Sequence, residues 1–169
     1  MNFRKTAMRA FVASVLAAGV AFGAAGTSTA APAPAQGYTG LSGSPMWVLG
    51  DNAWCSGHVE VLIETDVERP GTVALTLIPL GASGQGPAWT ANPVCNLKIA
   101  VTRLDGIFPF NHVHEIPVSM GPERGEPIRT EFATTSGLTY LNVTAPAFSQ
   151  RLEFRPQYGV PYGGYFLIP

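Results

Sequence analysis

The sequence predicts an all-β fold, a single antiparallel β-sandwich or small barrel of about eight short strands with one disulfide. Three observations lead there. Apolar and polar residues alternate with period two through a series of short segments, and no span beyond the leader shows a helical repeat. The chain carries 19 glycines and 15 prolines beside a charged fraction of only 12%, a composition that separates strands by turns. Its two cysteines, Cys55 and Cys95, follow an export signal, and an even pair in an oxidising compartment closes on itself.

Residues 1–30 read as a secretory signal peptide. Arg4, Lys5 and Arg9 form a basic segment, Ala10 to Phe22 an apolar one, and Ser28-Thr29-Ala30 a small-residue cleavage site. The apolar run is shorter than the roughly 20 residues that span a bilayer, so no transmembrane segment is expected in the mature chain. Cleavage after Ala30 leaves 169 − 30 = 139 residues, with seven basic and eleven acidic side chains and a net charge of 7 − 11 = −4. Nucleic acid is thereby excluded as a partner, because no basic footprint exists for it.

Residues 31–45 form a Pro/Ala/Gly-rich lead-in, expected to be extended and mobile. The sandwich domain then occupies residues 46–169. Met46 to Leu49 reads as a first strand, followed by loop chemistry around Trp54 and Cys55. His58 to Thr65 alternates cleanly, with Val59, Val61 and Ile63 on one face and His58, Glu60 and Glu64 on the other. A Glu-Arg-Pro-Gly turn returns the chain as Thr72 to Leu80, completing a hairpin. Residues 81–94 are too rich in Gly, Pro and Ala for a helix and read as a long loop with Trp89 near its centre.

Cys95 to Thr102 alternates again, Asp105-Gly106 is a tight-turn pair, and a second strand runs through Phe108 and Phe110 to His112 and His114. After a polar loop at 121–127, Ile128 to Ala133 and Leu138 to Val143 read as strands about a Thr-Ser-Gly turn. Phe148, Leu152 and Phe154 alternate with Ser149, Arg151, Glu153 and Arg155, the pattern of a further strand with a charged outer face. The closing run YGVPYGGYFLIP reads as a last, buried strand.

In architecture this set resembles the immunoglobulin sandwich. Immunoglobulin domains carry a Trp between their two cysteines on the next strand and a Tyr two places before the second cysteine. Here Trp54 immediately precedes Cys55, Trp89 sits in the expected loop, and Pro93 occupies the Tyr position. The resemblance implies a layered arrangement and no membership of that family.

Cys55 and Cys95 are expected to form a disulfide, which by loop-closure entropy contributes about 4 kcal/mol. His112 and His114, two apart on a strand, point the same way and can share one ligand, with His58 as the third member of a metal set that zinc or copper would suit. If the alternation through Phe110 continues, both imidazoles face the core. A bulge near Asn111 would turn them to water. No nucleophile elbow, zinc-protease helix, phosphate loop or calcium loop is present in the sequence.

These features lead to a secreted, non-catalytic binding or cell-envelope interaction module without a cofactor, its partner a protein, a glycan or an envelope component, with Trp89 as the candidate contact. A metal-binding protein or metal-dependent enzyme built on His112, His114 and His58 is the first alternative. A carrier of an apolar ligand is the second.

Overall fold

The computed structural model describes residues 31–40, 43–50, 54–104 and 111–169. The expected signal peptide at 1–30, Asp105-Gly106, Phe108 and Phe110 lie outside the described residues. Two antiparallel sheets pack into a sandwich-like or half-barrel body. The first sheet contains β1 (Ala33–Pro34), β3 (Met46–Leu49), β4 (Ser56–Thr65), β5 (Thr72–Ser83), β8 (Ile128–Ala133) and β10 (Tyr158–Gly159). Its order is β10-β3-β4-β5-β8, with β1 also on β4. The second contains β2 (Gln36–Gly40), β6 (Cys95–Leu104), β7 (Asn111–Met120), β9 (Gly137–Thr144) and β11 (Tyr162–Ile168), in the order β2-β11-β9-β6-β7.

Alternation decides which side chains meet. Val59, Val61 and Ile63 of β4 and Val73, Leu75 and Leu77 of β5 face Leu97, Ile99 and Val101 of β6, Ile116, Val118 and Met120 of β7, and Leu141 and Val143 of β9 in one buried cluster. Cys55, just before β4, bonds Cys95, the first residue of β6, with Cα atoms 5.6 Å apart. The bond therefore ties one sheet to the other at one end of the core. Gly50 packs on it, and a Cβ there would lie 2.5 and 2.6 Å from the two sulfurs, so a side chain has no room.

The lead-in is more structured than its composition suggests. Ala33 and Pro34 pair with Thr65 and Glu64 of β4, whereas Gln36–Gly40 pairs with β11 of the other sheet. The edge of β4 is satisfied in series: Ala35 donates to the Ile63 carbonyl at 2.8 Å, the Val61 amide donates to Ser44 Oγ at 2.9 Å, and β3 pairs residues 56–59. An exposed row of amides attracts any short segment that can pair with it, and this need overrides the flexibility of an Ala/Pro stretch.

Three further expectations are corrected. β5 continues to Ser83 and is followed by a short helix, α1 (Gly86–Ala91), where a structureless loop was expected. Pro87 stands in its first turn, where proline's fixed φ and missing N–H suit a helix start. The strands at 128–133 and 137–144 do not form a hairpin, because β8 pairs with β5 and β9 with β6 and β11. Residues 148–155 do not form a strand, and one isolated bridge, Phe148 to Phe154, closes them into a loop.

Candidate binding surface

The loop at 147–155 crosses the outer face of the second sheet. Ser149 closes it: its Oγ accepts from the amides of Arg151 at 3.2 Å and Glu153 at 3.1 Å, its own amide donates to the Glu153 carbonyl, and its carbonyl accepts from Leu152. Leu152 consequently sits at φ 61, a left-handed conformation that is strained for a non-glycine residue. Ser149 is buried, and the apolar residues of the alternation point outward. The expected strand fails because a serine hydroxyl offers the backbone a closer set of partners than a neighbouring strand would.

Two tethers hold the loop to β7. Arg155 donates to both oxygens of Glu115 at 3.0 Å, and Gln150 Nε2 donates to the Val113 carbonyl at 2.9 Å. The Arg155 guanidinium beside Glu115 holds its carboxyl below the ordinary carboxylate range. What the tethered loop presents is apolar: Phe148 is 56% exposed, Leu152 82% and Phe154 67%. The two phenylalanine rings meet edge to face with centroids 5.6 Å apart. Beside this ridge lies an open polar cavity of about 410 Å³ walled by Lys98, Glu115, Ser149, Gln150, Arg151, Glu153 and Arg155.

The residues singled out in the sequence are distributed differently. Trp89 is half-buried against the core cluster, and its ring covers Gly84 so closely that a Cβ there would lie 2.5 Å from Cδ2. His58 stands exposed on the outer face of β4, opposite Trp47. His112 and His114 share the face of β7 that carries Ile116, Val118 and Met120, and the ladder to β6 runs from Cys95↔Met120 to Leu104↔Asn111 without a register shift. They are nevertheless exposed, His114 opposite the buried Val101, and line a cavity of about 200 Å³ with Val101, Arg103, Val113 and Phe132. The structure thus brings two of the three histidines together and leaves His58 in the other sheet. Among the described residues, no three His, Cys, Asp or Glu side chains are grouped to hold a metal ion.

Among the described residues, no helix is long and apolar enough to cross a membrane. Compared with known proteins, the chain matches no family model, no curated protein and no solved structure.

Period-two alternation places Phe148, Leu152 and Phe154 on an inward face and so hides the ridge. One signal was available: Gln150 occupies the same register, and a polar side chain in an otherwise apolar set weakens the strand reading.

Proposed function

We propose that this chain is an exported, non-catalytic binding module that engages a protein partner through the 147–155 loop. The observation that carries the reading is the combination of exposure with rigidity in Phe148, Leu152 and Phe154. Single exposed apolar residues are ordinary on protein surfaces. Three on one hydrogen-bonded loop, with the outermost in a strained conformation, are not needed by the core and cost solubility. Such a group suits the centre of an interface, where a pre-ordered apolar anchor surrounded by polar side chains provides most of the affinity.

Export is supported by the leader composition of residues 1–30 and by the disulfide, which persists in oxidising compartments. A protein partner is favoured over an anionic membrane by the mature net charge of 7 − 11 = −4.

The test is site-specific photocrosslinking in the producing cells. A photoreactive residue at Leu152 is expected to yield a discrete protein adduct, whereas one at Val67, which is also exposed and lies on the β4–β5 turn, yields none. Equal adducts from both positions, or none from Leu152, would count against the reading.

A further inference from the structure

Of the seven cationic side chains after residue 30, five are engaged, Arg103 among them. Arg69, Arg124, Arg129 and Arg155 each hold a carboxylate within 3.5 Å. Among the described residues, Lys98 and Arg151 form no ion pair, and both line the 410 Å³ cavity beside the apolar ridge. They approach it from different parts of the chain, Lys98 from the outer face of β6 and Arg151 from the loop above it. The other charged groups on the cavity are Glu115, which is engaged by Arg155, and Glu153. The balance is therefore three cations to two carboxylates, with one carboxylate already paired.

From this arrangement we infer that the cavity receives an acidic side chain of the partner, whose neighbouring apolar residues lie on Phe148, Leu152 and Phe154. This rests on the proposed role of the loop. Lys98 also acts on Glu115 through its charge, and with Arg151 and Arg155 against two carboxylates the concavity keeps one positive charge in excess, a local positive field within a net-negative protein. A carboxylate entering there accepts charge-assisted hydrogen bonds from Lys98 Nζ and the Arg151 guanidinium, and Gln150 and Ser149 keep the rim polar. Glu153 disfavours a second acidic group close by, so the fitting segment carries one Asp or Glu flanked by aromatic or aliphatic residues. The apolar contacts supply affinity, and the charge selects the partner and its register.

A display library of short random peptides, selected on the mature chain, on Lys98→Gln/Arg151→Gln and on Phe148→Ser/Leu152→Ser/Phe154→Ser, tests this inference. Both cationic side chains are exposed, so the double variant keeps its fold, which circular dichroism verifies. The expected result is that the wild-type chain enriches peptides with an Asp or Glu beside Phe, Leu or similar residues. The double variant binds those peptides about tenfold more weakly and selects apolar peptides without an acidic residue. Enrichment of apolar peptides with no acidic preference by the wild-type chain, or the same acidic preference in the double variant, would overturn the inference and leave the ridge intact. The same peptides emerging from the triple variant would overturn the ridge reading itself, and no enrichment by the wild-type chain would overturn both.

Discussion

Gln157 takes the place of a strand beside Lys98: its Oε1 accepts from the Lys98 amide at 3.0 Å, and its Nε2 donates to the Lys98 carbonyl at 2.8 Å. β9 pairs with β6 as far as Thr144↔Ala100, and continuing that register would set Pro146 opposite Lys98. Proline has no N–H to give. The buried Gln157 carboxamide provides one, and Nε2 also donates to the Pro146 carbonyl at 3.0 Å. On its other side Lys98 faces Pro117. Because the Lys98 backbone groups point to Gln157, this is a non-hydrogen-bonded pair, and the missing Pro117 N–H faces away from β6 at no cost to the ladder.

Gln157→Ala is therefore expected to destabilise the domain by about 3 kcal/mol in urea unfolding, since three backbone groups lose their partner at a buried site. Gln157→Glu should not rescue it. A carboxylate retains the acceptor and loses both donors, so its destabilisation deepens as pH rises through the carboxyl titration.

Removing the Cys55–Cys95 bond by double substitution to Ala should lower stability by about 4 kcal/mol, as expected for a bond closing a loop of 40 residues. Gly50→Ala should be destabilising with the bond intact and milder without it, because the added Cβ collides with the two sulfurs. A double-mutant cycle measured by thermal unfolding reads this coupling.

Much of this body was legible in the sequence, for a physical reason. β4 and the first half of β6 have one dry and one wet face, and Val59-Val61-Ile63 or Leu97-Ile99-Val101 has no other arrangement that buries its apolar set. What escaped were segments ruled by hydrogen bonding. Ser149 turned an apparent strand into a loop, Ser44 and Ala35 drew the lead-in onto β4, and Gln157 acts through a side chain that no period reports. Trp89 was legible as large and apolar, but its partner Gly84 is contiguous only after the chain turns into α1.

Trp89→Ala is expected to cost about 2 kcal/mol of stability, the value for a half-buried large side chain. Gly84→Ala should displace the ring and red-shift its emission, recorded with Trp47 and Trp54 replaced. A stability change near zero in Trp89→Ala would show the ring to be free of the core.

The Arg155–Glu115 tether makes the loop sensitive to acid. Glu115 has its carboxyl below the ordinary value of 4.5 in the folded chain, so the pair's contribution is present above that value. It is lost as pH falls through the lowered one. The pair is partly exposed, which limits it to about 1 kcal/mol. Peptide-level hydrogen exchange should show residues 147–155 opening faster on acidification through this window. Glu115→Gln should show the same low protection, relative to the intrinsic exchange rate, at every pH.

The most direct measurement of the central claim is retention of the mature chain by the envelope fraction of the producing cells, compared between wild type and Phe148→Ser/Leu152→Ser/Phe154→Ser at matched folding. The ridge lies outside the core cluster, so the triple variant should keep its melting temperature and lose at least about tenfold in retention, as expected when apolar anchors are removed from the centre of an interface. Retention equal to wild type, or a loss of melting temperature that accounts for the lost retention, would contradict the claim that this loop is the binding element.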